Sequence, residues 1–537
     1  MESILYVSCR DRASIGTRKR YSFREAVFAG WAEDGGMLMP ERIPRIPAST
    51  LRAWRQRAAG FTYNECCFEV LRRFIPREEI PDQVLLRIII DAFSSFGHSD
   101  VVCKRSIGSC AVVLELFHGP TLAFKDLGMQ VLCRILEFYL NESKERLNLL
   151  VGTSGDTGSS AIEAVKNIPC VTITVLYPGC NRITRLQELQ MTMEGEFAEN
   201  GVKVIAVDGT SDDLDVPIEM VFGDVAFRKM HRIGSVNSVN ICRVLVQVVH
   251  FIWSTVTSEK SDGVRFFVPT GAGGHVTAGV ISRIMLMEDE TLPNHIELHV
   301  ATNANNTFHR ILSTGTVTKE ETKSVSKTVA PSMDISVPYN LERLMWIAAM
   351  EGTDIVSGED ENDEKEKRCI AAADLLRSFK MTGGIVLPED THTRILRVCG
   401  ISGSSYHSNE SILTTIKAVN DADGYVLDPH TAVGVAAMMS HRHQDSNICM
   451  ACAHPAKFST AIHDALGMED GQDPWWWLSS RDRAHPSVLN LLELDKTSRV
   501  PAAEFYELGT DWTSRLRQWF EAQTGEQMRV SSATSKS

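Results

Sequence analysis

From about residue 110 onward, apolar runs too continuous to alternate between two faces recur between amphipathic helices. This rhythm constrains the fold more than any other feature of the 537 residues. AVVLELF (111–117), LNLLVG (147–152), VTITVLYP (171–178), VKVIAVDG (202–209), VRFFVP (264–269) and IELHVATN (296–303) read as strands buried on both sides. Helical patterns stand between them, LGMQVLCRILEFYL (127–140) being the clearest. Strands of this kind, joined by helices, predict parallel sheet covered on both faces, and therefore an α/β chain.

The chain is too long for one ordinary core. Residues 1–100 mix short helical and irregular patterns and are expected to form an N-terminal region. Residues 101–467 would be the core, two α/β subdomains with a surface insertion near 350–410. Within that insertion the charge run GEDENDEKEKR (358–368) reads as a solvated loop or an exposed helix start. The rhythm stops after ACAHPAKFSTAIHDALG (451–467). Residues 468–537 then read as a mostly helical extension, ending in the polar VSSATSKS that predicts disorder.

A net charge of −13 disfavours nucleic acid or an anionic membrane as the main partner. No apolar stretch approaches the ~20 residues that cross a bilayer. Thirteen cysteines at irregular spacing point to reduced thiols. The start MESILYVSCRDR has no secretory pattern, and Glu2 and Asp11 stand where a transit peptide avoids acids, so a cytoplasmic location is expected.

Chemistry concentrates in glycine-bearing loops that follow strands and open helices, where ligands bind in α/β sheets. GTSGDTGSSA (152–161) supplies hydroxyls from Ser154, Thr157 and Ser159, and Gly155 and Gly158 admit an anion to the backbone. VPTGAGGHVTAG (268–279) presents Gly271, Ala272, Gly273, Gly274 and His275 with few side chains in the way. Neither loop has the Gly-Lys-Ser/Thr of a Walker A motif, and Val276 stands at the third Rossmann glycine position. Each loop alone is equally a plain tight turn. Lys125, in LAFKDLGMQVL, reads either as a lysine snorkelling from a helix end or as a neutral amine nucleophile. Partial burial and a helix N-terminus suit the second role.

HGPTLAFKDLGMQ, VGTSGDTGSSA, NSVNICRVLVQ, VPTGAGGHVTAG, VPYNLERL and LDPHTAVGV, in this order, resemble the fungal and animal branch of the threonine synthase family. The opening YVSCRD…SFREAVFAGWAEDGGMLMPERIP resembles that family's N-terminal region, and the likeness runs from about residue 5 to 467. The resemblance implies a fold type II enzyme (tryptophan synthase beta-like) that uses pyridoxal 5'-phosphate (PLP). Lys125 would be the Schiff-base lysine and proton shuttle. Residues Gly271, Ala272, Gly273, Gly274 and His275 would hold the cofactor phosphate through backbone amides, and Thr431 would meet the pyridine nitrogen. Ser154, Asp156 and Thr157 would receive the substrate, with Asn240 and Arg243 as further polar contacts. Arg243 is a plausible phosphate clamp, although a structural ion pair on a helix explains it equally.

One departure bears on the product. Threonine synthases of this branch usually carry Asn-Phe inside the phosphate loop, with an acidic or amide residue after its last glycine. This chain has Ala272 and Gly273, then His275. With VPYNLER and TSDDLDVP, that resembles the animal threonine synthase-like proteins. The implied function is a phospho-lyase acting on O-phosphohomoserine or O-phosphothreonine to give 2-oxobutyrate and ammonia. An authentic threonine synthase and a non-catalytic PLP-binding signalling paralogue are the alternatives. The expected partner is a small phosphorylated amino acid, and the chain would be a monomer or homodimer.

Other features read as structural. Cys449 and Cys452 have metal spacing but fall in a strand pattern with no second pair, so no metal site is expected. His441 and His443 read as solvent-facing. Trp475–Trp477 reads as tail packing or a subunit contact.

Overall fold

The computed structural model describes residues 3–108, 111–179, 182–193, 201–258, 263–287, 296–351, 359–441, 447–468, 486–497, 504–507 and 509–534. Each apolar run read as a strand forms one, and the strands sort into two sheets. The larger sheet has the order Ile401–Tyr406, Ile296–Thr302, Val264–Pro269, Asn447–Ala451, Ala111–Glu115, Cys103–Ile107. All its neighbours are parallel except the last pair. The smaller sheet runs Glu504–Tyr506, Val202–Val207, Val171–Pro178, Leu147–Gly152, Ile233–Gly234 and is parallel throughout.

The helix Ile241–Val256 is buried along nearly all its length. It packs against helices Tyr63–Leu71, Lys125–Ser143 and Gly274–Met285, which explains its apolar residues on every side. The first 100 residues join the same core. Tyr6–Ser8 pairs with Leu38–Pro40, and one continuous apolar cluster extends from Ile4 to Met450. Helix Phe23–Ala29 begins at a capping box, Ser22 with Glu25.

From Glu359 on, the charge run is the start of a helix, Glu359–Thr382, with Asn362, Asp363 and Lys367 exposed. It is followed in the same helix by buried Cys369, Ala372, Leu376 and Phe379. The C-terminal residues are more closely built in than the sequence suggests. Glu504–Tyr506 forms an edge strand of the smaller sheet. Helix Trp512–Thr534 follows, and its Trp519 indole donates to Thr174 Oγ1 at 3.0 Å. The Lys203 ammonium lies 3.9 Å from the centre of the same ring. The helix continues through Thr534, so most of VSSATSKS is helical where disorder was expected. Trp475–Trp477 and His443 lie outside the described residues. His441 packs its ring against Phe267 and His299 instead of simply facing solvent. Cys449 and Cys452 are buried. No described helix is long and apolar enough to cross a membrane.

Candidate active site

The carboxyl ends of Leu147–Gly152 and Val264–Pro269 open on one cavity between the two sheets. It is lined by Lys125, by Ser154, Asp156 and Thr157, by Arg243, and by the loop from Gly271 to His275. The sequence placed all of these at one site, and the fold brings them together.

Lys125 begins the helix Lys125–Ser143. The turn before it is tightly fixed. Thr121 donates to the buried Asp126 carboxylate from its backbone N–H at 2.8 Å and its hydroxyl at 2.6 Å. Ser160 adds a third donor at 2.6 Å. Leu122 has φ 63°, an unfavourable conformation for a residue with a branched side chain, held by these bonds. The Lys125 ammonium lies 3.4 Å from Asp156 Oδ2, with its side chain 14% exposed.

Asp156 opens the helix Asp156–Val165 and is the hub of the cavity floor. Its Oδ1 faces Lys457 Nζ at 3.0 Å and accepts from Gln187 Nε2 at 3.0 Å. Its Oδ2 accepts from Ser332 Oγ at 2.7 Å. Burial alone would raise this carboxyl. Lys457 first, then Lys125 and His430, hold it well below the usual carboxylate range. The preceding Gly155 has φ 128°, and a Cβ there would stand 2.4 Å from Gln187. Only glycine lets this loop close over the Gln187 amide.

The second loop opens helix Gly274–Met285. Gly273 has φ 85°, and a Cβ there would meet the Phe308 ring at 3.2 Å. The first amides of a helix have no intrahelical partner, which suits this loop to an anion. The VPYNLER segment braces this loop: Asn340 N–H donates to Ala272 O at 3.1 Å. The His275 ring stacks on Phe124 with centroids 5.0 Å apart, and its Nε2 lies 2.8 Å from His250 Nε2. Its buried Nδ1 has no hydrogen-bond partner among the described residues. Burial, with Lys125 nearby, pulls His275 down to about 3.

Arg243 is 3% exposed. Its Nη1 donates to Val236 O at 3.0 Å, its buried Nε is unsatisfied, and no carboxylate forms an ion pair with it among the described residues. Burial draws the guanidinium down to about 10. Of the two readings the sequence left open, the structural ion pair on a helix is not found among the described residues. The cavity wall also carries Asp212 and Asp215. Burial pushes Asp212 up to about 6, and burial and then the neighbouring Asp212 push Asp215 up to about 8. Tyr339 lines the same wall, pushed up to about 12 by burial and then by Asp215.

Two expected site residues do not line the cavity. Asn240 caps helix Ile241–Val256 through Cys242 N–H and donates to Val27 O and Ser235 O at 2.7 and 3.0 Å. The Thr431 hydroxyl donates to Asp428 and accepts from Cys452 N–H at 2.9 Å, while its neighbour His430 lines the wall. His430 Nε2 accepts from Ser332 N–H at 3.0 Å, so its Nδ1 carries the proton given to Asp428 at 2.9 Å. Lys457, Gln187, Ser332, Asp212, Asp215 and Tyr339 were not singled out from the sequence. Lys457 carried one usable signal, a lysine set among small apolar residues in HPAKF.

Comparison with known proteins shows the family. The model of the threonine synthase N terminus matches residues 5–93, and that of the threonine synthase C-terminal region matches 431–504, beyond the 467 at which the sequence likeness was drawn. Threonine synthase-like 2 of Rattus norvegicus is 36% identical over 518 residues, covering 94% of this chain and 96% of that protein. Threonine synthase of Schizosaccharomyces pombe is 34% identical over 487 residues, covering 86% and 89%. The crystal structure of PLP-bound threonine synthase from Brucella melitensis superposes with a TM-score of 0.76 at 30% identity, covering 96% and 99% of the two chains.

Fold and site together define an α/β enzyme of fold type II, the class built around PLP. Within it, the chain belongs to the threonine synthase family, which is PLP-dependent.

Proposed function

We propose that this chain is a PLP-dependent phospho-lyase that eliminates phosphate from O-phosphohomoserine or O-phosphothreonine, yielding 2-oxobutyrate and ammonia. The observation that carries the reading is Arg243: a buried guanidinium with no carboxylate ion pair among the described residues, in the same cavity as Lys125. A charge left unpaired in a protein interior is costly, so such a group suits a site whose ligand supplies the anion.

The residues fit PLP. Glycine amides at the start of helix Gly274–Met285 would hold its phosphate, and Lys125, which lines the same cavity, would hold it covalently through Nζ. Bound there, PLP supplies an electron sink for the carbon next to the amino group. Lys125 then takes and returns protons, Asp156 orients it, and Arg243 clamps the substrate phosphate bidentately. Thr431 would reach the pyridine nitrogen only if its hydroxyl turned from Asp428. Asp212 and Asp215, in the same cavity as Lys125 and Arg243, suit a substrate carrying both charge signs.

The test is phosphate release from O-phosphohomoserine and O-phosphothreonine by the yellow holoenzyme, with borohydride used to fix the cofactor before peptide mapping. The adduct is expected on Lys125, with release abolished by Lys125→Ala. Arg243→Met should lower kcat/KM for phosphate esters by 100-fold or more, as expected of about 3 kcal/mol at a charged contact. An adduct on another lysine, or an Arg243→Met enzyme of full efficiency, would reject the assignment.

A further inference from the structure

We infer that Cys103, Glu115 and His118 form a binding site for a divalent cation of the zinc class, outside the active-site cavity. The site is built on the antiparallel edge of the larger sheet, where Cys103 stands directly across from Glu115. His118 follows Glu115 by three residues.

The three donor atoms converge. Cys103 Sγ lies 3.0 Å from Glu115 Oε2 and 3.4 Å from His118 Nε2, and His118 Nε2 lies 3.0 Å from the same Oε2. Together they outline one face of a coordination tetrahedron. Ligands at about 2.0–2.3 Å from zinc stand roughly 3.3–3.8 Å apart, so the face need widen by only a few tenths of an ångström. The side chains can make that adjustment, since Glu115 is 11% and His118 20% exposed. Tyr425 donates to the other carboxylate oxygen, Oε1, at 2.8 Å and leaves Oε2 for the cation. The His98 ring lies 5.0 Å from that of His118, and water would supply the fourth ligand.

The donor set selects the metal class. One thiol, one imidazole and one carboxylate match zinc, and not the all-oxygen shells of magnesium or calcium. On binding, the Cys103 S–H bond breaks, an S–metal bond forms, and the proton passes to water. Neutral His118 and ionised Glu115 contribute lone pairs.

The site lies at the root of the lysine-bearing turn. His118 O accepts from Gly97 N–H at 2.8 Å, and the chain then runs through Leu122 to Phe124, whose N–H donates to Cys452 O at 2.8 Å. A cation fixed to His118 would anchor the start of that turn.

The full-length protein, purified from zinc-supplemented medium and dialysed, should retain about one zinc per chain by elemental analysis. Exchange with cobalt should produce visible d–d bands and a thiolate-to-metal charge-transfer band. Both the retained zinc and the cobalt bands should be lost in Cys103→Ser with unchanged circular dichroism. If that variant misfolds, His118→Asn serves for the elemental analysis, and chelation of the wild type should lower its melting temperature. Metal well below stoichiometry in the wild type, or cobalt bands that persist in Cys103→Ser, would overturn the assignment and leave a hydrogen-bonded triad only.

Discussion

Lys457, without any exposed side-chain surface, points its ammonium at Asp156 Oδ1 from 3.0 Å, while Lys125 approaches the other oxygen of the same carboxylate at 3.4 Å. One buried acid thus holds two cations apart, only one of which the proposed chemistry uses. Lys457 also donates to Thr121 O at 2.7 Å, tying the hub to the turn that carries Lys125.

Lys457→Met keeps an unbranched side chain and removes its charge. It leaves Asp156 with one cation fewer and Thr121 O with Gln190 Nε2, at 3.2 Å, as its remaining side-chain donor. Breaking a buried ion pair on one side costs roughly 3–5 kcal/mol. Urea unfolding should show a loss of that order, and activity should fall as Lys125 is drawn toward Asp156. A variant as stable and as active as the parent would remove Lys457 from the account.

Gly273→Leu tests the phosphate cradle. The position combines φ 85° with a Cβ that would press on Phe308, so the loop must shift to admit a side chain. Weaker PLP binding is expected, by tenfold or more in a fluorescence titration, with the far-ultraviolet circular dichroism preserved. Unchanged affinity would place the cofactor phosphate elsewhere.

Stability should fall on mild acidification. His275 and His299 are both buried and both drawn down to about 3, chiefly by burial. A histidine in the unfolded chain titrates near ~6.5. The folded values lie below the unfolded one. Between those limits the unfolded chain therefore binds more protons, and stability present above pH ~6.5 is lost progressively toward pH 3. The urea midpoint should drop between pH ~7 and ~5. His299→Gln, outside the cavity and able to keep a bond to Ser405, should make that drop smaller. Equal slopes in the two proteins would contradict this origin.

The strands were legible because burial on both faces leaves an uninterrupted apolar run, as in LNLLVG and VRFFVP. Lys125 and both glycine loops were legible because close backbone approach restricts which residues are allowed. What was hidden depended on partners distant in sequence. Nothing local marks Glu504–Tyr506 as an edge strand, since its pairing partner begins at Val202. Lys457 acquires its role only when Asp156 is folded against it. Asp212 and Asp215 reach the cavity wall only when the chain folds. Asn240 and Thr431 show the converse, because polar residues in a matched motif can be held by the scaffold.

The product formed from O-phosphohomoserine tests the central proposal most directly. Elimination needs Lys125 and a clamped phosphate, whereas hydration also needs a water held on one face at an attack distance of ~3 Å. Ala272 and Gly273 offer no side-chain donor and no ring to fix that water. Chromatography of a complete turnover should find 2-oxobutyrate and ammonia in step with released phosphate, and little threonine. Threonine as the main product would contradict the lyase reading and make the chain an authentic threonine synthase.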